Sequence, residues 1–210
     1  FITRTFSAAM KVSKKYFLLI LFFYCGYTYA QPKNDSVFSS TFLSSVNLTD
    51  AETGKIVRLK NENAANKPEL FIFLSPECPL CQNYSLVLNK IYREYGGRVR
   101  FYGIIPGKTY AAETISDFSK KYKIIFPIFI DKALTLSHYL RATTTPEVIL
   151  LNNSNELLYK GAIDDWFMDI GKQRTRTTKD FLRDALAQQF SGETVALKRT
   201  KAIGCYINDY

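Results

Sequence analysis

Cys78 and Cys81 are separated only by Pro79 and Leu80, and they follow an apolar run, Phe71-Ile-Phe-Leu74, that stops at Ser75-Pro76. A helical pattern begins just after them. The first turn of a helix has unpaired N–H groups and the positive end of the dipole, so it stabilises an anion. A thiolate held there has a lowered pKa and becomes a nucleophile at neutral pH. This spacing predicts Cys78 at the N-cap and Cys81 three residues on, on the same face and within disulfide reach. Pro79 suits the first helical position, because its missing N–H would be unpaired anyway. Cys78 is expected to be the more exposed of the pair, with Cys81 inside the first turn.

Two other uses of such a pair are a metal knuckle and an inert staple. A zinc knuckle needs four ligands. Beyond residue 30 only Cys205 and His138 could join the pair as thiol or imidazole ligands, so the expectation is a redox pair holding neither metal nor cofactor. Cys205 is the odd thiol: a third redox cysteine reaching back to Cys78 or Cys81, a metal ligand, or a buried free cysteine. Glu77, beside the first cysteine, is either a solvated loop acid or a like charge that raises the neighbouring pKa. His138 and Trp166 read as structural residues.

The elements that must position this pair follow from periodicity. Val46–Asp50 and Ile56–Lys60 alternate around Glu52-Thr-Gly54, a hairpin signal. Asn61–Pro68 reads as a loop. Glu69–Leu74 is apolar on both faces, as in a strand covered on both sides. Tyr84, Leu88, Ile91, Tyr92 and Tyr95 follow a helical stripe that Gly96-Gly97 ends. Val99–Ile105 reads as a strand, Thr114–Tyr122 as a helix, and Ile124–Ile130 as another apolar run. Asp131 is expected to cap a short helix to Leu140. Thr143–Leu151 is a loop entering a strand, Asn152–Asn155 a turn, and Leu157–Gly161 an antiparallel strand. Asp164–Arg176 looks irregular. Thr177 or Thr178 is expected to cap a last helix with Phe181, Leu182, Ala185, Leu186 and Phe190 on one face. This alternation predicts an α/β sheet with helices on both faces, and a Cys-x-x-Cys at its first strand–helix turn reads as a redox motif.

The chain has 210 residues and a formal net charge of +9. Residues 1–30 hold four basic residues and no acid, leaving 24 basic against 19 acidic residues in the remainder, or +5. That mild, dispersed excess fits a solvated surface and not a nucleic-acid site. Lys11, Lys14 and Lys15, the apolar Tyr16–Tyr24 and the small-x-small Thr28-Tyr-Ala30 read as an export signal starting at Met10, with residues 1–9 upstream of it. Cys25-Gly26 raises a lipid-anchor alternative, disfavoured by the large Tyr24 before the cysteine. Cleavage after Ala30 would place the protein outside the cytoplasm, in a periplasmic or other extracytoplasmic space where disulfides persist, with no membrane attachment. The organisation expected is a leader at 1–30, a flexible lead-in at 31–40, a domain at 41–190 and a tail at 191–210.

Val46–Gly161 resembles the thioredoxin-like redoxins: exported thiol–disulfide oxidoreductases and, more loosely, the alkyl-hydroperoxide-reductase and thiol-specific-antioxidant group. The resemblance rests on Cys78-Pro79-Leu80-Cys81 after a strand, Thr145-Pro146 opening a strand 65 residues after Cys81, and the leading hairpin. Ser75–Cys81 together with Gly204-Cys205-x-Ile207 also looks like an uncharacterised bacterial redoxin subgroup. The resemblance implies a thioredoxin-like fold: a central mixed sheet, an N-terminal hairpin extension, and a C-terminal helix plus tail. It also implies that Pro146 is a cis-proline facing the cysteines and that Thr145 offers its backbone to an incoming strand. Cys78 would attack a partner disulfide and Cys81 would resolve the mixed disulfide. The partners implied are protein thiols or disulfides and an unidentified electron donor or acceptor.

The chain departs from that pattern in two places. Glu77 stands where a tryptophan usually precedes the first cysteine, and Ile72 where an acid usually lies in the strand. Glu77, Glu147 or water would then move the proton. Two alternatives stay open. In a thiol peroxidase Ser75 fits, Phe71 replaces an expected proline, and Arg141 is the available cation. In a copper-handling protein Cys78 and Cys81 would join His138 or Cys205.

Overall fold

The structure is a computed structural model that describes residues 37–59, 67–169 and 171–208. The leader with Cys25, the start of the lead-in (31–36) and most of the loop before the first buried strand (60–66) lie outside the described residues.

A short helix, α1 (Ser40–Ser45), opens the fold. The hydroxyl of Ser39 accepts from the Phe42 N–H at its start. β1 (Asn47–Asp50) and β2 (Ile56–Arg58) form the expected antiparallel hairpin. Its turn is closed by Asp50, whose carboxylate accepts from the Thr53 N–H at 2.7 Å, and by Gly54 at φ 69°. All five residues of β3 (Glu69–Phe73) are buried. Then come α2 (Pro79–Tyr95), β4 (Arg100–Pro106), α3 (Ala112–Lys121), β5 (Ile128–Asp131) and α4 (Thr135–Tyr139). β6 (Thr144–Thr145), β7 (Glu147–Leu151) and β8 (Leu157–Gly161) follow.

β1–β5, β7 and β8 form one seven-stranded sheet in the order β2-β1-β5-β4-β3-β7-β8. β3 and β4 are parallel, as are β4 and β5, while β7 runs antiparallel to β3 and β8 antiparallel to β7. Side chains alternate across the strands, and the core divides accordingly. Leu70, Ile72, Ile105 and Leu150 face α2, α3 and the last helix, α5 (Phe181–Ser191). Phe71, Phe73, Ile104 and Ile149 face Leu43 of α1, Leu136 of α4 and Leu140 at its C-cap. Helices on both faces explain why β3 carries no polar alternation. No helix of the described residues is long and apolar enough to cross a membrane.

Several local expectations are corrected. Asp131 ends β5 and is not the N-cap of α4; Leu134, in the left-handed region at φ 57°, holds that position. The Asp131 carboxylate still accepts from the N–H and the hydroxyl of Ser137, each at 2.8 Å. The N-cap of α5 is Asp180 rather than Thr177 or Thr178, because Thr178 turns to the Asp165 carboxylate. The stretch Asp164–Arg176 contains a small hairpin, β9 (Phe167–Asp169) with β10 (Lys172–Gln173). It is fastened by Trp166, whose indole N–H donates to the Arg174 carbonyl at 2.9 Å.

The tail returns to the sheet. Residues 198–200 run beside the β8 edge, with Lys160 N–H on the Lys198 carbonyl at 2.9 Å and Thr200 N–H on the Lys160 carbonyl at 3.0 Å. The chain then crosses to β6. There β11 (Cys205–Tyr206) pairs antiparallel with it, Cys205 opposite Thr145 and Tyr206 opposite Thr144.

Candidate active site

β3 delivers the chain to Ser75-Pro76, and α2 begins at Pro79 with Cys78 as its N-cap, as the spacing requires. Cys78 lends no side-chain cap bond to the helix, which leaves its sulfur for other partners. The Cys78 thiol points at the Thr145 carbonyl, 3.2 Å away, and the Cys205 sulfur lies 2.8 Å from it. Cys81 is fully buried below, accepting a weak bond from the Ser75 N–H at 3.4 Å. The Thr145–Pro146 peptide bond is cis. The structure therefore brings Cys78, Cys81, Thr145 and Cys205 together. Cys78 is, as expected, the more exposed of the pair, though both are buried: it is 2% exposed and Cys81 0%, while Cys205, expected to be buried if it were a plain free cysteine, is exposed.

The electrostatics separate the three thiols. Cys78 is lowered to about 5, chiefly by accepting a hydrogen bond from Cys81, with burial opposing and Cys205 assisting. Burial, reinforced by the negative Cys78, pushes Cys81 well up. Cys205 is pushed up to about 12, by burial first and then by Cys78. One thiolate flanked by two thiol donors is the arrangement in which charge on Cys78 costs least. As a neutral thiol Cys78 donates instead to Thr145; as a thiolate it accepts from its two neighbours.

The remaining candidates sit apart from the sulfurs or in other bonds. Glu77 and His138 are exposed. Glu147 is 4% exposed, but its carboxylate accepts from the Thr143 N–H at 2.9 Å and faces Lys160 at 3.7 Å, so it serves the β6 loop. Among the described residues no group of three or more His, Cys, Asp or Glu is arranged to hold a metal ion.

Sequence reasoning missed Asp164. It lies just past β8, is 4% exposed, and accepts from the Tyr84 hydroxyl of α2 at 2.5 Å and from the Trp166 N–H at 2.9 Å. With Tyr84, Pro146 and Ile203 it lines a cavity of about 10 Å³ beside the cis-proline. Its only sequence signal is an acidic pair between the apolar Ala162-Ile163 and Trp166-Phe167. Burial raises its pKa, so the folded state holds that proton more tightly than the unfolded chain does. The resulting penalty is absent at low pH and accumulates as pH rises from the unfolded value to the folded one. Asp164→Asn should therefore gain stability relative to the parent as pH rises from 3 to 7. Chemical denaturation at the two pH values measures this, and an unchanged difference would contradict it.

A parallel β3-α2-β4 unit with Cys-x-x-Cys at its turn is joined here to an antiparallel β7-β8 hairpin, whose leading Thr145-Pro146 faces the first cysteine. The fold is thioredoxin-like. No protein-family profile and no curated protein sequence matches the chain. Among solved structures, a hypothetical protein of Sinorhizobium meliloti is similar at 26% identity, covering 77% of this chain and 89% of its own, with a TM-score of 0.67. An uncharacterised conserved protein of Geobacillus kaustophilus is similar at 22% identity, covering 77% and 87%, with a TM-score of 0.66. A secreted disulfide oxidoreductase of Mycobacterium tuberculosis matches at 18% identity over 57% of this chain and 84% of its own, with a TM-score of 0.49. Within this thioredoxin-like frame, the expected sheet, hairpin extension and C-terminal helix are all present.

Proposed function

We propose that the chain is an exported thiol–disulfide oxidoreductase acting on protein thiols and disulfides through Cys78 and Cys81. The observation that carries this reading is the Cys78 sulfur. It is held at the α2 N-terminus with Cys81 one turn on, and a second cysteine is presented to it on a strand paired with β6. The Cys78 thiolate attacks one sulfur of a partner disulfide. A Cys78–partner bond forms, and the other partner sulfur leaves with the electron pair and takes a proton. Cys81 then gives up its proton and attacks Cys78, forming the Cys78–Cys81 bond and releasing the second partner thiol. The partner is reduced by two electrons and the pair is oxidised; the reverse sequence oxidises a partner dithiol. A stabilised Cys78 thiolate favours the reduced pair, and so favours the oxidising direction. Export is supported by the basic, apolar and small-residue pattern of residues 10–30.

Thr145 and Pro146 take the role of the strand platform, and Cys205 is the thiol that tests it. The peroxidase reading has less support. Phe71 is locked in the middle of β3, the Ser75 hydroxyl is paired with the Tyr110 hydroxyl at 2.8 Å, and the groups that lower Cys78 are thiols and backbone N–H groups, not a cation. The copper reading has less support: His138 is exposed, and among the described residues no group of three or more His, Cys, Asp or Glu, with Cys205 or without it, is arranged to hold a metal ion.

The test is oxidation of a dithiol peptide by the oxidised protein, followed by mass. Transfer of one disulfide per protein, with return of the dithiol form, supports the reading. An oxidised protein that leaves the peptide untouched while consuming hydrogen peroxide in its reduced form would replace this reading with the peroxidase.

A further inference from the structure

A partner chain that uses the Thr145 platform has to lie antiparallel to β6 with a cysteine facing Cys78, and that place is already filled. β11 pairs with β6, Cys205 opposite Thr145, and the Thr145 hydroxyl donates to the Cys205 carbonyl at 3.4 Å. The strand is held at both ends. Upstream, Thr200 is bonded to Lys160, Ala162 and Tyr159 at the end of β8. Downstream, Ile207 N–H donates to the Thr143 carbonyl at 3.0 Å. The approach depends on Gly204: a Cβ there would lie 2.0 Å from the Thr145 carbonyl oxygen and 2.7 Å from its carbon. Backbone cannot yield as a flexible side chain can, so any side chain at 204 lifts the strand off the platform.

We propose that Cys205 is a third redox cysteine, and that the tail strand Gly204-Cys205-Tyr206 is a built-in substrate segment that exchanges disulfides with Cys78. This rests on the oxidoreductase reading above. In the oxidised protein the Cys205 thiol loses its proton and attacks Cys78. The Cys78–Cys205 bond forms, the Cys78–Cys81 bond breaks, and Cys81 leaves with the electron pair and takes the proton. No external oxidant is consumed, because the disulfide only changes partners. The two sulfurs already stand 2.8 Å apart. The exchange also moves the disulfide outward, from a pair at 0–2% exposure to an exposed residue. A partner thiolate can then attack the Cys205 sulfur, and Cys78 leaves as its stabilised thiolate, a good leaving group. A second partner thiol displaces Cys205 and completes the transfer.

The experiment equilibrates the full chain and its Cys81→Ser variant in glutathione buffers at about 1 mM, a concentration that a tethered thiol outcompetes. Free thiols are then trapped and the bonds mapped by mass. In Cys81→Ser, Cys78 is expected to be joined to Cys205 in most molecules. Cys78 carrying glutathione with Cys205 free would overturn the proposal. Adding Gly204→Ala to that variant should shift Cys78 from Cys205 to glutathione by about tenfold or more, since overpacking against backbone opposes the pairing; no shift would overturn the built-in-substrate geometry. Cys81→Ala repeats the comparison should the serine perturb the buried site. The unsubstituted chain reports separately on the oxidoreductase reading, which fails if no Cys78–Cys81 bond forms at any poise, whatever Cys205 does.

Discussion

Cys78→Ser abolishes disulfide exchange with a partner peptide, and Cys81→Ser halts it with Cys78 joined to the partner or to Cys205. The first loss should be at least ~10³-fold, because no other sulfur can act as the low-pKa nucleophile. Cys81 is buried and pushed up, and Cys205 is pushed up to about 12, so at neutral pH neither supplies appreciable thiolate while Cys78 is reduced. Cys81→Ser keeps the nucleophile and removes the buried thiol that resolves its product, leaving Cys205 as the thiol facing Cys78. It should therefore accumulate Cys78 joined to the partner or to Cys205, in a single event per molecule. Stopped-flow release of one partner thiol, with mass mapping of the trapped species, separates the two variants. Equal residual turnover in both would mean that the thiols do not divide their labour this way.

The second large effect is on pH dependence. With Cys78 at about 5 against an ordinary thiol at 9.0, its thiolate fraction at pH 7 is near 99% instead of 1%, roughly a hundredfold difference. Alkylation by a small neutral reagent should follow a titration with its midpoint near pH 5. Burial under Cys205 slows the absolute rate but not the midpoint. The linkage has a definite sign. A folded value below the unfolded one contributes stability to the dithiol protein that is complete above pH 9 and is lost as pH falls through about 5. At pH 7 the lowered Cys78 stabilises the dithiol form and shifts the pair in the oxidising direction relative to an unshifted pair. A midpoint near 9 would remove both consequences together.

What was legible in the sequence was what local chemistry dictates. The unbroken apolar run of β3, the Pro79 start of α2 and the glycine turn at Gly54 each answer to a backbone or burial rule that neighbours in sequence enforce. The Cys78-x-x-Cys81 pair was legible for the same reason. The misses are tertiary. Thr178 has the right chemistry for a cap, but the Asp165 carboxylate, 13 residues upstream, claims it. Asp164 becomes a buried acid only because Tyr84, 80 residues away, reaches it. Cys78 is buried because the tail returns over 127 residues to cover the helix start, and no local pattern chooses that return over the other options open for Cys205. The one trace it leaves is Gly204 beside Cys205, a glycine whose lack of a side chain is needed against the Thr145 carbonyl.

The central claim is that Cys78 and Cys81 form a reversible two-electron couple. Equilibrium titration of the full chain in glutathione buffers, with thiols trapped and peptides mapped by mass, tests it most directly. The account predicts that Cys78 and Cys81 oxidise together as one couple, at a potential more oxidising than an unshifted dithiol. A chain in which no Cys78–Cys81 bond forms at any poise would contradict it.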